Sequence, residues 1–193
     1  LYTGTGANQS ITGVGHQPDL VWIKDRTNTN NQVWTDSVRG VEKVILSNAN
    51  NAETTYTDGL VAFTSDGFNL GDDDDGQMNV SGNACVSWNW KAGGSASSNT
   101  DGSITSTVSA NTTAGFSIVK YTGNGSAGAT LGHGLGVAPS VIILKGLVGS
   151  REWAVYHTGL GGNTFGIHMN TTAAKSTETS WWNSTSPTSS VFT

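Results

Sequence analysis

The sequence predicts an all-β protein made of two tandem antiparallel β-sandwich repeats of jelly-roll or lectin-like type, and three observations carry that prediction. Composition is the first. The 193 residues include 26 Gly, and Ser, Thr and Asn supply about a third of the chain, while only 12% of residues are charged. Gly, Ser, Thr and Asn are weak helix formers and suit tight turns and polar strand faces. Seven Trp and 35% hydrophobic residues exclude disorder. Periodicity is the second: short apolar or alternating runs are separated by turn dipeptides, and no window shows a 3.6-residue apolar repeat. The third is an internal repeat. "YTGTGANQSITGVGHQPDLVWIK" (Tyr2 to Lys24) returns as "YTGNGSAGATLGHGLGVAPSVIILK" (Tyr121 to Lys145).

The elements follow in order. "DLVWIK" (Asp19–Lys24) and "SVIILK" (Ser140–Lys145) are apolar runs after a Pro, the pattern of a central strand. "VEKVILS" (Val41–Ser47) and "TFGIHMN" (Thr164–Asn170) are further strands. "ACVSWNWK" alternates, with Val86, Trp88 and Trp90 on one face and Cys85, Ser87, Asn89 and Lys91 on the other. "GFSIVKY" (Gly115–Tyr121) is another strand, and Asp58-Gly59, Asp66-Gly67 and Asn124-Gly125 mark turns.

The copies align through Tyr2/Tyr121, Gly4/Gly123, Gly6/Gly125, Pro18/Pro139 and Lys24/Lys145, with a two-residue insertion in the second. "QVWTDSVRG" then answers "REWAVYHTGLG", and "FTSDGF" answers "PTSSVF". A period of about 120 residues is that of a domain array rather than a solenoid. Residues 1–92 form the first repeat, which lacks an opening strand. Residues 93–114, rich in Gly, Ser and Thr, form a linker or an edge strand. Residues 115–193 form the second repeat, which lacks closing strands. The expectation is a segment of a longer multi-domain polypeptide; the alternative is a filament subunit completed by a neighbour's strand.

Charge and cysteine content exclude several classes. A net charge of −5 with nine basic residues and no basic stripe offers nothing to nucleic acid. Cys85 stands alone, so no intrachain disulfide framework exists. No apolar run reaches membrane-spanning length, and no membrane insertion is expected.

With the repeat, the "YTG-x-G" opening, the "VSWNWKAGG" exit and "TDGSITSTVSANTTAGFSIVKYTG" in view, the chain resembles the tandem β domains of tailed-phage virion structural proteins, tail-fibre-like proteins of marine and environmental phages. The resemblance implies a β module displayed on a virion, hence a virion or extracellular location, and it carries over no catalytic residue. His16 and "GDDDDG" of the first copy have no counterpart in the second.

Candidate chemistry is sparse. Asp72, Asp73, Asp74 and Asp75 offer hard oxygen ligands for Ca²⁺ but lack the spaced ligands of an EF-hand; a solvated turn is the plainer reading. No other cofactor is expected. Trp22, Trp34, Trp88, Trp90 and Trp153 lie in strands and read as core. Trp181 and Trp182 cannot both face one core if their segment is extended, so one of them, with Asn183, is the expected exposed contact for a glycan or an interface. The four His have no paired metal-ligand spacing. "GTGANQ" lacks a βαβ context, and no Gly-x-Ser-x-Gly elbow or carboxylate pair stands out.

The leading expectation is a non-enzymatic phage virion structural protein, a fibre or a capsid or tail appendage, that forms homo-oligomers and contacts other virion proteins. A lectin-like receptor-binding module for host surface glycans comes second, and a strand-donated extracellular filament third.

Overall fold

The structure, a computed structural model, describes residues 1–193. It is all-β, with a single 3-10 turn at Thr158–Leu160. Two compact units divide the chain: Leu1–Lys91 with Leu147–Ser150, and Ala92–Gly146 with Arg151–Thr193.

The first unit contains β1 (Tyr2–Thr3), β2 (Gln9–Ile11), β3 (Leu20–Asp25), β4 (Gln32–Asp36), β5 (Lys43–Leu46), β6 (Thr54–Thr55), β7 (Leu60–Thr64), β8 (Gly67–Leu70) and β9 (Ala84–Trp90). They form a six-stranded sheet ordered β1-β9-β3-β4-β5-β6 and a three-stranded sheet ordered β2-β8-β7, with every pairing antiparallel. The apolar run of β3 is central, as expected. Val21, Ile23, Val33, Val44 and Leu46 of the large sheet meet Leu60, Phe68 and Leu70 of the small one, and Met78 completes this core. Two sheets enclosing one apolar layer make a β-sandwich.

Buried carboxylates hold the connections of this unit. Asp25 Oδ1 accepts from the Thr27 and Asn28 amides at 2.8 and 3.2 Å, and Oδ2 accepts from Asn30 Nδ2 at 2.9 Å and Asn83 Nδ2 at 2.7 Å. Burial alone would raise the Asp25 pKa, but these bonds and the Lys24 charge outweigh it and hold the carboxyl below its ordinary value. A lowered native pKa stabilises the fold above the unfolded carboxyl's value, about 4, and that contribution is lost as pH falls through the native value. Asp25→Asn removes the charge and sets an amide against donors. The variant is expected to lose about 2–3 kcal/mol at pH 7 and to show a smaller further loss between about pH 5 and pH 2 than the parent, read from urea midpoints.

The second unit contains β10 (Ser97–Asn99), β11 (Ser106–Asn111), β12 (Phe116–Lys120), β13 (Leu131–Gly132), β14 (Val141–Leu144), β15 (Ala154–His157), β16 (Phe165–His168), β17 (Ser176–Thr177) and β18 (Val191–Phe192). Its sheets are β10-β11-β12, β14-β15-β16-β17 and the pair β13-β18. Leu131, Ile142, Tyr156, Trp182 and Phe192 form its core, with Ile104, Val119, Tyr121, Leu144 and Trp181 packed against them.

Two local expectations change. Residues 93–114 are no free linker. Thr and Val supply β11, the middle strand of its sheet, and Ser97–Asn99 is the edge. β14 is equally apolar but not central: it ends its sheet, and Val141 and Ile143 are 44% and 42% exposed. An all-apolar run favours burial on both faces, but in β14 only Ile142 is buried, because the run does not say how many neighbours the strand has.

Candidate functional site

The residues singled out for binding do not form a surface site. Trp182 is 2% exposed, its ring 5.7 Å from Tyr156 in an edge-on contact. Trp181 is partly buried, 4.9 Å from the His168 ring and 6.5 Å from Trp182. A Cβ built on Gly166 would lie 2.6 Å from the Trp181 ring, so the indole rests directly on the β16 backbone. Both indoles reach one core because Thr179–Ser184 is a turn rather than an extended segment, with Asn183 and Ser184 at φ +46° and +50°. Only Asn183 of the three is exposed.

The acidic run is also divided. Asp73 is buried at φ +58°, and its Oδ2 accepts from the Met78 and Asn79 amides at 2.7 and 2.6 Å. Burial raises its pKa, with the Asp58 charge adding to the rise against the lowering effect of the amides. This carboxylate organises a turn. Asp72 and Asp74 instead converge with Asp58, each offering an oxygen within 4.8 Å of the others, while Asp75 stands outside that cluster. Asp58 Oδ2 already accepts from the Asp74 amide at 2.6 Å.

The remaining polar candidates serve the fold. His133 is buried between the Leu135 amide and the Thr188 carbonyl. His157 Nδ1 accepts from the Gly159 amide at the 3-10 turn. Burial pushes the Cys85 thiol up, away from the thiolate that reacts.

A partly exposed aromatic cluster lies elsewhere, in residues expected to be core. Trp22 sits opposite Trp34 on one side and Trp88 on the other, and Leu20 sits opposite Trp90. Directly opposed residues of an antiparallel pair share a face. Trp22, Trp34, Trp88 and Trp90 therefore occupy the face turned away from the Val21–Ile23–Val33 core. Ring centroids lie 5.5 Å apart for Trp22–Trp34, 5.3 Å for Trp22–Trp88 and 6.4 Å for Trp22–Trp90. Trp22 is the hub, its Nε1 buried without a partner, and Trp88 is 46% exposed.

Leu20 and Ile45 share this face but are buried, so its accessible part is Trp88 with the partly exposed Trp22, Trp34 and Trp90. An ion cluster borders it. Arg39 pairs with Asp36 at 2.5 Å and Glu53 at 3.1 Å and donates to the Trp34 carbonyl. This constellation can stack flat apolar groups, sugar rings among them, beside fixed charges. The alternation of β9 already put Trp88 and Trp90 together; what escapes the sequence is the register that adds Trp22 and Trp34.

One family model, described as a domain of unknown function (DUF7483), matches residues 1–193. No curated protein and no solved structure matches the chain.

Proposed function

We propose that this chain, which belongs to the DUF7483 family along its whole length, is a non-enzymatic structural module of a phage virion, carried in a fibre or in a capsid or tail appendage. It assembles with copies of itself and with neighbouring virion proteins and presents a surface to the host. The observation that carries this reading is the tryptophan face: a six-stranded sheet displays Trp22, Trp34, Trp88 and Trp90 away from its core. Trp88 is 46% exposed and backed by partly exposed rings, and an exposed aromatic ring set on others supports an interaction surface. The likeness of "TDGSITSTVSANTTAGFSIVKYTG" to phage tail-fibre-like proteins supports the location. Gold-labelled antibody on particles from the source culture is expected to decorate fibres or capsid; bare particles beside labelled cells would overturn the virion reading.

Trp88 favours a second reading, recognition of host surface glycans by stacking. On that reading Trp88→Ala weakens binding to host cells by about tenfold or more, the scale of an aromatic hot spot. The melting temperature shifts by less than about 4 °C, because the ring is half-exposed. A lowered melting temperature with unchanged binding would assign the ring to packing instead.

A further inference from the structure

Strand alternation places charged side chains on the tryptophan face. The ladder between β3 and β9 continues one step past Asp25, because the Arg26 amide donates to the Ala84 carbonyl at 2.8 Å. Arg26 therefore lies opposite Ala84 and follows Trp22 and Lys24 on one face, while Ala84, Val86, Trp88 and Trp90 share that face on β9. Lys43 joins from β5, two residues before Ile45. These three cations stand against the single negative charge left on the bordering cluster of Asp36, Arg39 and Glu53. In a chain of net charge −5, with nine basic residues against fourteen acidic ones, this excess of positive charge is local.

The three cations are not equivalent. Lys24 Nζ donates to the Asp25, Asn28 and Asn30 carbonyls at 2.5, 3.0 and 2.9 Å, which holds it against its own turn. Lys43 Nζ donates to Thr55 Oγ1 at 2.8 Å. Arg26 is exposed, and both ion pairs of the chain belong to Arg39, so the Arg26 guanidinium faces solvent. Between it and Trp88, Ala84 is exposed and Val86 partly so. From Ala84 to Trp88 the strand rises by about 14 Å, at about 3.4 Å per residue. That span exceeds one sugar ring and suits an oligosaccharide.

We infer that the Trp88 face takes acidic oligosaccharides: one sugar ring stacks on Trp88 while a carboxylate or sulfate farther along the glycan meets Arg26. The inference rests on the glycan reading above and adds the class of sugar to it. The planar guanidinium presents paired N–H donors to an oxyanion. The indole supplies the apolar contact, and the local positive charge steers an anionic chain to this side of the sheet. A neutral glycan has the stack alone.

The test titrates the full chain by calorimetry with a galacturonate hexamer and with its methyl ester, alike in ring and different in charge. A sulfated galactan hexamer serves as the second acid, and the tighter of the two acids identifies the anion. An acid is expected to bind about fivefold more tightly than the ester, with the gap closing as salt is added. Arg26→Gln lowers affinity for the acid by about fivefold and leaves the ester unchanged. Trp88→Ala weakens both by about tenfold or more. Both side chains are exposed, and melting temperatures check that the variants fold. Equal affinity for acid and ester, lost in Trp88→Ala, overturns the acidic preference and leaves the glycan reading standing. Acid binding that ignores Trp88→Ala or Arg26→Gln overturns the inference as general charge attraction. No binding to any of the three sugars overturns the glycan reading and this inference together.

Discussion

Trp182→Ala is expected to destabilise the protein by about 4 kcal/mol, the largest effect of any single truncation considered, because it removes a fully buried indole from a small core. For a chain of this length that corresponds to a fall of about 10 °C in melting temperature. The core of the second unit has five buried members, so the space left behind cannot be refilled by neighbours without moving strands. The effect also discriminates between two readings of the residue. A surface contact would lose ligand binding and keep its melting temperature; a core residue does the reverse. Calorimetry of the variant checks this, and an unchanged transition would return Trp182 to the surface.

Gly4→Val should cost about 3 kcal/mol or more, whereas Gly123→Val should fall within about 0.5 kcal/mol of the parent. The two glycines occupy the same place in the repeated "YTG" turn. At Gly4 the new carbon would meet backbone atoms, the Val80 carbonyl oxygen at 2.3 Å and the Asn79 carbonyl carbon at 2.7 Å, and neither can rotate aside. The 79–83 segment would have to lift, breaking the bonds from the Gly4 amide to the Asn83 carbonyl and from the Gly6 amide to the Asn79 carbonyl. At Gly123 the same carbon meets no atom within 4 Å. Paired denaturant titrations measure the difference. Equal losses would mean that both turns are closed in solution.

Much of the fold was legible in the chain. Val86, Trp88 and Trp90 alternate with polar partners, Asp66-Gly67 turns β7 into β8, and "DLVWIK" is central, all because side-chain direction along a strand has a period of two and turn geometry favours particular residues. The candidate site was much less so. Trp22 reads as core because β3 is apolar on both faces, and nothing in an apolar run says which face meets the second sheet; Trp34 reads as core because it lies within the strand β4. Trp181 and Trp182 read as a split pair only on an extended backbone; the turn at Thr179–Ser184 that carries them lets both rings pack inward. Asp73 looked like its neighbours until two amides of the next turn claimed one of its oxygens.

The sequence by itself determined the all-β class, the strand and turn vocabulary and the recurrence of the "YTG" segment, because these depend on local backbone preferences and on residue order. Only the tertiary structure decided which tryptophans face outward, which aspartates hold turns, and that β3 is paired on both edges while β14 is paired on one. Those outcomes depend on register and on which segment covers which edge, and both are settled by contacts between residues distant in the chain.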